Sequence, residues 1–175
     1  MKLLICMLLL LTTITLTEAD LIGYACSEGQ ATTPNFSYKF CVDVLRSDPK
    51  TNKSSLHDLS LVPLRLAISK ATSTVSLLQT LLRKSSDPRV RGHLTNCLHQ
   101  YSEMVTELIY SVEDIHSGDY FDADLKLRDA LNSPGRCEDG FRSDGGGGGV
   151  SPVKGMNDEI SNLIVVCELL VEDVH

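Results

Sequence analysis

The sequence lacks the motifs that mark most active sites. No serine or cysteine lies in a nucleophile-elbow pattern, and no lysine follows the glycine run Gly145 to Gly149 at the spacing of a phosphate-binding loop. His93 and His99 are six residues apart, a spacing that does not place them on one helix face as that of an i, i+4 metal pair does. We therefore expect no catalytic residues, no cofactor and no metal, and we expect that the chain is not an enzyme.

The chain also lacks an excess of positive charge and a membrane-spanning hydrophobic run. Its net charge is −7, which argues against nucleic acid as a ligand and suits a basic protein partner. The apolar run Leu3 to Leu16 is about 14 residues long, shorter than the roughly 20 that a membrane span requires. With Lys2 before it and Ala19 after it, this run predicts a secretory signal peptide over residues 1–19. Residues 20–175 are then one secreted domain without a membrane anchor.

Five cysteines follow the predicted signal peptide: Cys26, Cys41, Cys97, Cys137 and Cys167. An odd number leaves one cysteine over, and the sequence alone does not choose among the possible pairings. Cys26 and Cys41 are close in sequence and could close a short N-terminal loop or helical hairpin. Cys167 falls on an apolar helical stripe, where a free thiol behaves as a small hydrophobic side chain.

Cys97 and Cys137 stand at nearly equal distances before and after Gly118, which with Asp119 indicates a break between two helices. An arm of about 20 residues is roughly 30 Å long as a helix, so an antiparallel hairpin returns Cys137 to Cys97. A disulfide here would join the open ends of two long helices. The alternative is two unpaired thiols in the core.

Four stretches carry apolar residues at steps of three and four, the pattern of amphipathic helices. The stripes run Leu64 to Leu82, Val90 to Ile115, Tyr120 to Ala130 and Met156 to Leu170. We expect Pro63 in the first turn of the first helix, Asp87 as the cap of the second, and Pro134 beyond the end of the third. Short links between long helices force antiparallel neighbours. The predicted fold is all-α: an up-down-up-down four-helix bundle with an N-terminal helical hairpin, stapled by disulfides.

The predicted turn between the second and third bundle helices concentrates candidate binding residues. His116 and Asp119 are titratable, and Tyr120 and Phe121 add two aromatic rings. One interpretation is that both rings cap the core. The other is that Phe121, which lies off the apolar stripe, is a binding anchor of the kind that aromatic residues often supply. The glycine run is expected to be a flexible connector before the last helix.

Two tripeptides match the acceptor pattern for N-linked glycans. They are Asn35-Phe36-Ser37 and Asn52-Lys53-Ser54. Behind a signal peptide, they predict glycans on Asn35 and Asn52.

Five motifs in order resemble the plant invertase and pectin methylesterase inhibitors, a family of secreted four-helix bundles. They are Cys41-Val42-x-x-Leu45-x-Ser47-Asp48-Pro49, Cys97 with Tyr101, Gly118-Asp119-Tyr120-x-x-Ala123, Ala130-Leu131, and Cys137-Glu138-Asp139-Gly140-Phe141. The resemblance covers essentially the whole mature chain. It implies that the first two cysteines pair, that the next two pair and that the fifth is free.

Two further segments are similar to a pollen-protein branch of this family that includes allergens and invertase-inhibitor-like proteins. They are Asn35-Phe36-Ser37-Tyr38-x-Phe40-Cys41 and Val150-Ser151-Pro152-Val153. This branch also separates its first two cysteines more widely than is usual in the family, as the present chain does.

Two departures from the family pattern bear on the target. Some invertase inhibitors carry Pro-Lys-Phe at the turn that enters the target's active site, where this chain has Asp119-Tyr120-Phe121. Many pectin methylesterase inhibitors place a threonine before the fourth cysteine, where this chain has Arg136. The turn residues His116, Asp119, Tyr120 and Phe121, together with Arg136 at the position of that threonine, are the candidate target-binding residues.

The expected function is therefore that of an inhibitor that is monomeric when free and binds a cell-wall enzyme at about 1:1. Pectin methylesterase is favoured as the target because the Pro-Lys-Phe segment is missing, and acid invertase is the alternative. A third hypothesis, from another class, is a secreted helical signalling or pollen protein that inhibits neither enzyme.

Overall fold

The structure is a computed structural model that describes residues 21–50, 55–142 and 149–174, and every regular element in these ranges is a helix. The helices are α1 (residues 21–32), α2 (Tyr38–Arg46), α3 (Leu56–Lys84), α4 (Pro88–Ser117), α5 (Tyr120–Arg142) and α6 (Lys154–Glu172). The predicted signal peptide, Asn52 and most of the glycine run lie outside the described residues.

Helices α3 to α6 form a closed ring in which each helix packs against two neighbours. Contacts between α3 and α6 run in reversed sequence order. The Cys167 thiol donates to the Ser60 carbonyl at 3.3 Å, whereas Lys70 pairs with Glu159 at 2.8 Å. The other three interfaces show the same reversal. The predicted up-down-up-down bundle is therefore confirmed.

Helices α1 and α2 form the predicted N-terminal hairpin, which has a small core of its own. The Cys26–Cys41 disulfide joins the two helices, and their apolar side chains pack with Leu59 of α3 and Val166 of α6. Gly29 faces α6 so closely that a Cβ atom there would lie 2.7 Å from a methyl group of Leu169. The hairpin therefore covers the α3–α6 side of the bundle.

The ends of α4 follow the predicted signals. The Asp87 carboxylate accepts a hydrogen bond from the Arg89 backbone N–H at 2.8 Å, and Pro88 occupies the first turn. Gly118 ends the helix with a φ of 80°, in the left-handed region that glycine adopts without a Cβ penalty. The chain then enters α5 directly, as a tight antiparallel hairpin requires.

Two predictions about helix limits and two about burial were wrong. Pro63 is not in the first turn of α3, because the Ser55 hydroxyl caps that helix at the Asp58 N–H and the helix begins at Leu56. Pro134 lies inside α5, which continues to Arg142. Contacts beyond this proline hold the last turns of α5 against the bundle. Val90 and Met156, each placed at the start of an apolar stripe, in α4 and α6, are 36% and 39% exposed.

A buried polar network holds the end of α5 to the start of α6. The Glu138 carboxylate, 5% exposed, accepts hydrogen bonds from the Ser151 hydroxyl, the Ser151 N–H and the Asn157 amide. The Tyr101 hydroxyl of α4 donates to Asn157. Burial and then the charge of Glu138 raise the pKa of Tyr101, so the phenol remains a donor. The network fixes the segment before α6 on the bundle.

A second group of carboxylates lies between α5 and α6. Arg128 pairs with Asp124 at 2.7 Å and with Glu172, and one oxygen of Asp124 is buried without a hydrogen-bond partner. Burial, to a greater extent than the neighbouring carboxylates of Asp124 and Glu172, raises the pKa of Glu168 from about 4.5 to about 7, and Arg128 opposes this shift. Glu168 is therefore protonated in acidic surroundings.

The two disulfides are expected to stabilise different parts of the chain. Replacing Cys97 and Cys137 by alanine opens a covalent loop of 40 residues, which should cost about 4 kcal/mol and lower the Tm of the whole bundle by on the order of 10 °C. Replacing Cys26 and Cys41 should expose mainly the α1–α2 amides to hydrogen exchange. Calorimetry and exchange mass spectrometry measure the two effects. Equal loss of protection throughout the chain in both variants would contradict this division.

We expect the protein to be more stable at pH 5 than at pH 8. Because the folded-state pKa of Glu168 lies above its unfolded value, the folded state binds more protons between about pH 4.5 and 7. The contribution of Glu168 to the free energy of unfolding is therefore fully present below about pH 4.5 and is lost as pH rises through about 7. After allowance for solvent screening, the loss should be about 1–2 kcal/mol. Thermal unfolding of Glu168→Gln should show a smaller pH dependence than wild type, and the exposed Glu113→Gln is the control. An unchanged slope in Glu168→Gln would contradict the assignment.

Candidate docking surface

The turn between α4 and α5 separates its two aromatic residues. Tyr120 is half-buried against the core, and its hydroxyl lies 3.0 Å from Nδ1 of His57. Phe121 is 64% exposed. One turn later on the same helix face is Leu125, which is 48% exposed. Tyr120 therefore caps the core, as the first interpretation expects, whereas Phe121 is an exposed apolar group, as the second interpretation requires.

His57 was not identified from the sequence. Its ring lies 6.1 Å from that of His116 and meets Tyr120 edge to face at 6.3 Å between centroids. The residue was missed because α3 was expected to begin at Pro63, which left His57 outside the helix. Its position after the Ser55 cap was the available signal.

Asp119 has a local role in the structure. Its carboxylate accepts a hydrogen bond from the Asp122 backbone N–H at 3.3 Å, so it caps the first turn of α5. The Lys126 ammonium bridges the hairpin to Asp114 at 2.6 Å. That hydrogen bond is the main reason why the pKa of Lys126 is raised. Together these contacts fix the direction in which α5 leaves the turn, and with it the position of Phe121.

A groove of about 590 Å³ runs along the outer surface between α4 and α5. Its walls carry the carboxylates of Glu103, Glu107 and Asp129, and Arg136 lies at the end remote from the turn. Arg136 is exposed, with one guanidinium nitrogen 3.5 Å from the Gln100 side-chain oxygen. Such a groove offers hydrogen-bond acceptors and negative charge to a basic partner.

The structure does not bring all five predicted target-binding residues together. His116, Asp119, Tyr120 and Phe121 meet at the turn, whereas Arg136 is about 24 Å away along α5 at the helical rise per residue. All five nevertheless belong to the α4–α5 hairpin. The candidate docking surface is therefore defined as the outer face of this hairpin, from Phe121 to Arg136.

The remaining predicted residues have structural positions. Cys97 pairs with Cys137, and Cys167 is a buried free thiol. Burial raises the pKa of Cys167, which keeps it protonated and unreactive. Asn35 is exposed at the α1–α2 turn. No group of three or more metal-ligating side chains occurs among the residues that the structure describes.

Comparison with known proteins gives consistent matches. The family model described as "Plant invertase/pectin methylesterase inhibitor" matches residues 20–169. A "Putative invertase inhibitor" of Platanus acerifolia is 30% identical over 85% of this chain and 82% of its own length. A "Pectinesterase inhibitor" of Actinidia deliciosa is 27% identical over 58% of this chain and 55% of its own.

Solved structures share the fold. A mutant form of a pectin methylesterase inhibitor from Arabidopsis superposes with a TM-score of 0.67 at 23% identity, covering 77% of this chain and 88% of that one. The Arabidopsis inhibitor thus has the same bundle fold as the one described above.

The expectation that the chain is not an enzyme is confirmed by its family, whose members inhibit enzymes. The chain belongs to the plant invertase/pectin methylesterase inhibitor family.

Proposed function

We propose that the mature chain, residues 20–175, is secreted to the plant cell wall and inhibits a pectin methylesterase by docking through the α4–α5 surface. The signal peptide is supported by the family match, which begins at residue 20 and so leaves out the apolar run Leu3 to Leu16. The inhibitor is monomeric when free and binds its target at about 1:1. It blocks access to the active site without chemistry of its own.

The observation that carries this proposal is the combination of an exposed apolar anchor with an acidic groove on one rigid face. Phe121 and Leu125 supply apolar area that no part of the described bundle covers. Aromatic side chains of this kind dominate the binding energy of many interfaces. The α4–α5 hairpin is held by the turn at Gly118 and by the Cys97–Cys137 disulfide farther along both helices, so little conformational entropy is lost on docking.

The negative charge of the chain suits a basic target enzyme. The net charge of the chain is −7, and Glu103, Glu107 and Asp129 line the groove. Opposite charge accelerates encounter and favours the correct orientation, and both effects weaken with salt.

Pectin methylesterase is proposed as the target because the turn sequence Asp119-Tyr120-Phe121 lacks the proline and lysine that some invertase inhibitors insert into their target. Asp119 is a helix cap in this structure and cannot supply a cation. Acid invertase is the second candidate. It is favoured by the relative from Platanus acerifolia, which aligns over more of the chain than the pectinesterase inhibitor does.

A non-inhibitory role is the alternative from another class. Arg136 stands where many pectin methylesterase inhibitors have threonine, and together with the turn sequence it changes both ends of the α4–α5 surface. In this alternative, the bundle would bind a different wall or pollen protein through the same face.

The decisive experiment titrates the oxidised mature protein against a plant pectin methylesterase and an acid invertase in parallel, near pH 5. We expect saturable loss of pectin methylesterase activity near equimolar inhibitor, weakened by added salt because opposite charges contribute to docking. Loss of invertase activity alone would assign the second candidate. Loss of neither activity would leave the fold intact and support the non-inhibitory alternative.

Phe121 is expected to be the main apolar anchor. Phe121→Ala should weaken inhibition about 30-fold, the effect of losing a hot spot of about 2 kcal/mol. The matched control is Tyr24→Ala, which removes another aromatic ring, 58% exposed, from the hairpin on the opposite side of the bundle. Inhibition constants and Tm values should be measured for both variants. Equal inhibition by Phe121→Ala and wild type would place the anchor elsewhere.

A further inference from the structure

The turn between α1 and α2 presents an asparagine in an exposed and unusual conformation. Asn35 has a φ of 63°, the only positive φ of a non-glycine residue in the described ranges. Asparagine tolerates this left-handed region better than most residues. The side chain is exposed and belongs to the acceptor tripeptide Asn35-Phe36-Ser37.

The surroundings of Asn35 leave room for a bulky group. A cleft of about 100 Å³ adjoins the turn, and its lining includes Phe36 and Phe40 together with Asn162 and Val165 of α6. Both phenylalanines are half-buried, so their rings form part of the cleft wall. Such a wall combines apolar area with an amide, and both can contact a sugar ring. Ser37 caps α2 by accepting a hydrogen bond from the Phe40 N–H, which fixes the turn next to the cleft.

We propose that Asn35 carries an N-linked glycan whose first sugar lies over this cleft, against Phe36 and the outer face of α6. The modification requires passage through the secretory pathway, and in this respect it rests on the proposed function. Because the α1–α2 hairpin covers the α3–α6 side of the ring, the glycan projects away from the α4–α5 surface. It therefore shields one side of the bundle and leaves the docking side free.

The test expresses the full chain in plant cells in two forms, one with its own N-terminus and one with residues 1–19 replaced by an established secretion signal. Peptide mass mapping should find hexose and N-acetylhexosamine units on Asn35. An N-glycosidase that accepts fucosylated cores should remove them and leave aspartate at this position. The second form separates the two proposals, since it enters the pathway whatever residues 1–19 do. An unmodified Asn35 in the secreted protein from that form would overturn the glycan assignment.

Three variants complete the test. Asn35→Gln should lose the modification, and Ser37→Thr should retain both the acceptor pattern and a helix-capping hydroxyl. Asn52→Gln should leave the modified peptide at Asn35 unchanged. Hydrogen exchange at the first turn of α2 should be slower in the glycosylated protein than in Asn35→Gln. Equal exchange would overturn the contact with the cleft.

Inhibition provides the last readout. Glycosylated protein and Asn35→Gln should inhibit the target enzyme with the same constant, because the glycan lies on the side remote from the α4–α5 surface. A several-fold difference between them would overturn this placement. The occupancy of Asn35 is read by mass, independently of whether either enzyme is inhibited.

Discussion

The Cys97–Cys137 disulfide is the constraint on which the rest of the bundle depends. It joins α4 and α5 about 30 Å from the Gly118 turn at the helical rise per residue, so this hairpin is held at the turn and again well along both helices. α5 continues through Pro134, and Cys137 holds the chain beyond this proline covalently to α4. The next residue, Glu138, is thereby placed inside the bundle, where it binds the segment leading into α6. The Cys97–Cys137 bond thus fixes the α4–α5 hairpin, and the adjacent Glu138 fixes the start of α6 against it.

Buried and exposed residues of this hairpin tolerate substitution differently. The polar network around Glu138 is buried, so removing one partner leaves a desolvated charge or donor. Phe121 and Arg136 contact no such network and project from the same rigid hairpin. If the proposed surface docks the target, substitutions at these exposed positions change recognition with little effect on folding, and one bundle can then serve inhibitors of two unrelated enzymes.

Much of the fold was predictable because its signals are local or periodic. Asp87, Pro88 and Gly118 mark the limits of α4, and the nearly symmetric positions of Cys97 and Cys137 about Gly118 predicted their bond. The failures have a common physical cause. Pro63 and Pro134 are helix breakers by local rules, but both are buried inside helices that pack along the bundle, and α5 is in addition bonded to α4 just beyond Pro134. His57 and the Glu138 network depend on residues distant in sequence, and helical periodicity carries no information about such pairs.

Under the proposed function, target choice depends on how much of the α4–α5 face an enzyme contacts. A standard interface covers about 800 Å² on each partner and so extends about 30 Å across. Phe121 and Arg136 are about 22 Å apart along α5, so an enzyme that covers the whole face contacts both the turn and the far end of the groove. An enzyme that contacts only the turn is insensitive to Arg136. Both departures from the family pattern therefore affect a target that covers the whole face, whereas only the turn sequence affects a target that contacts the turn alone. In this proposal selectivity arises from the span of the contact as well as from either residue.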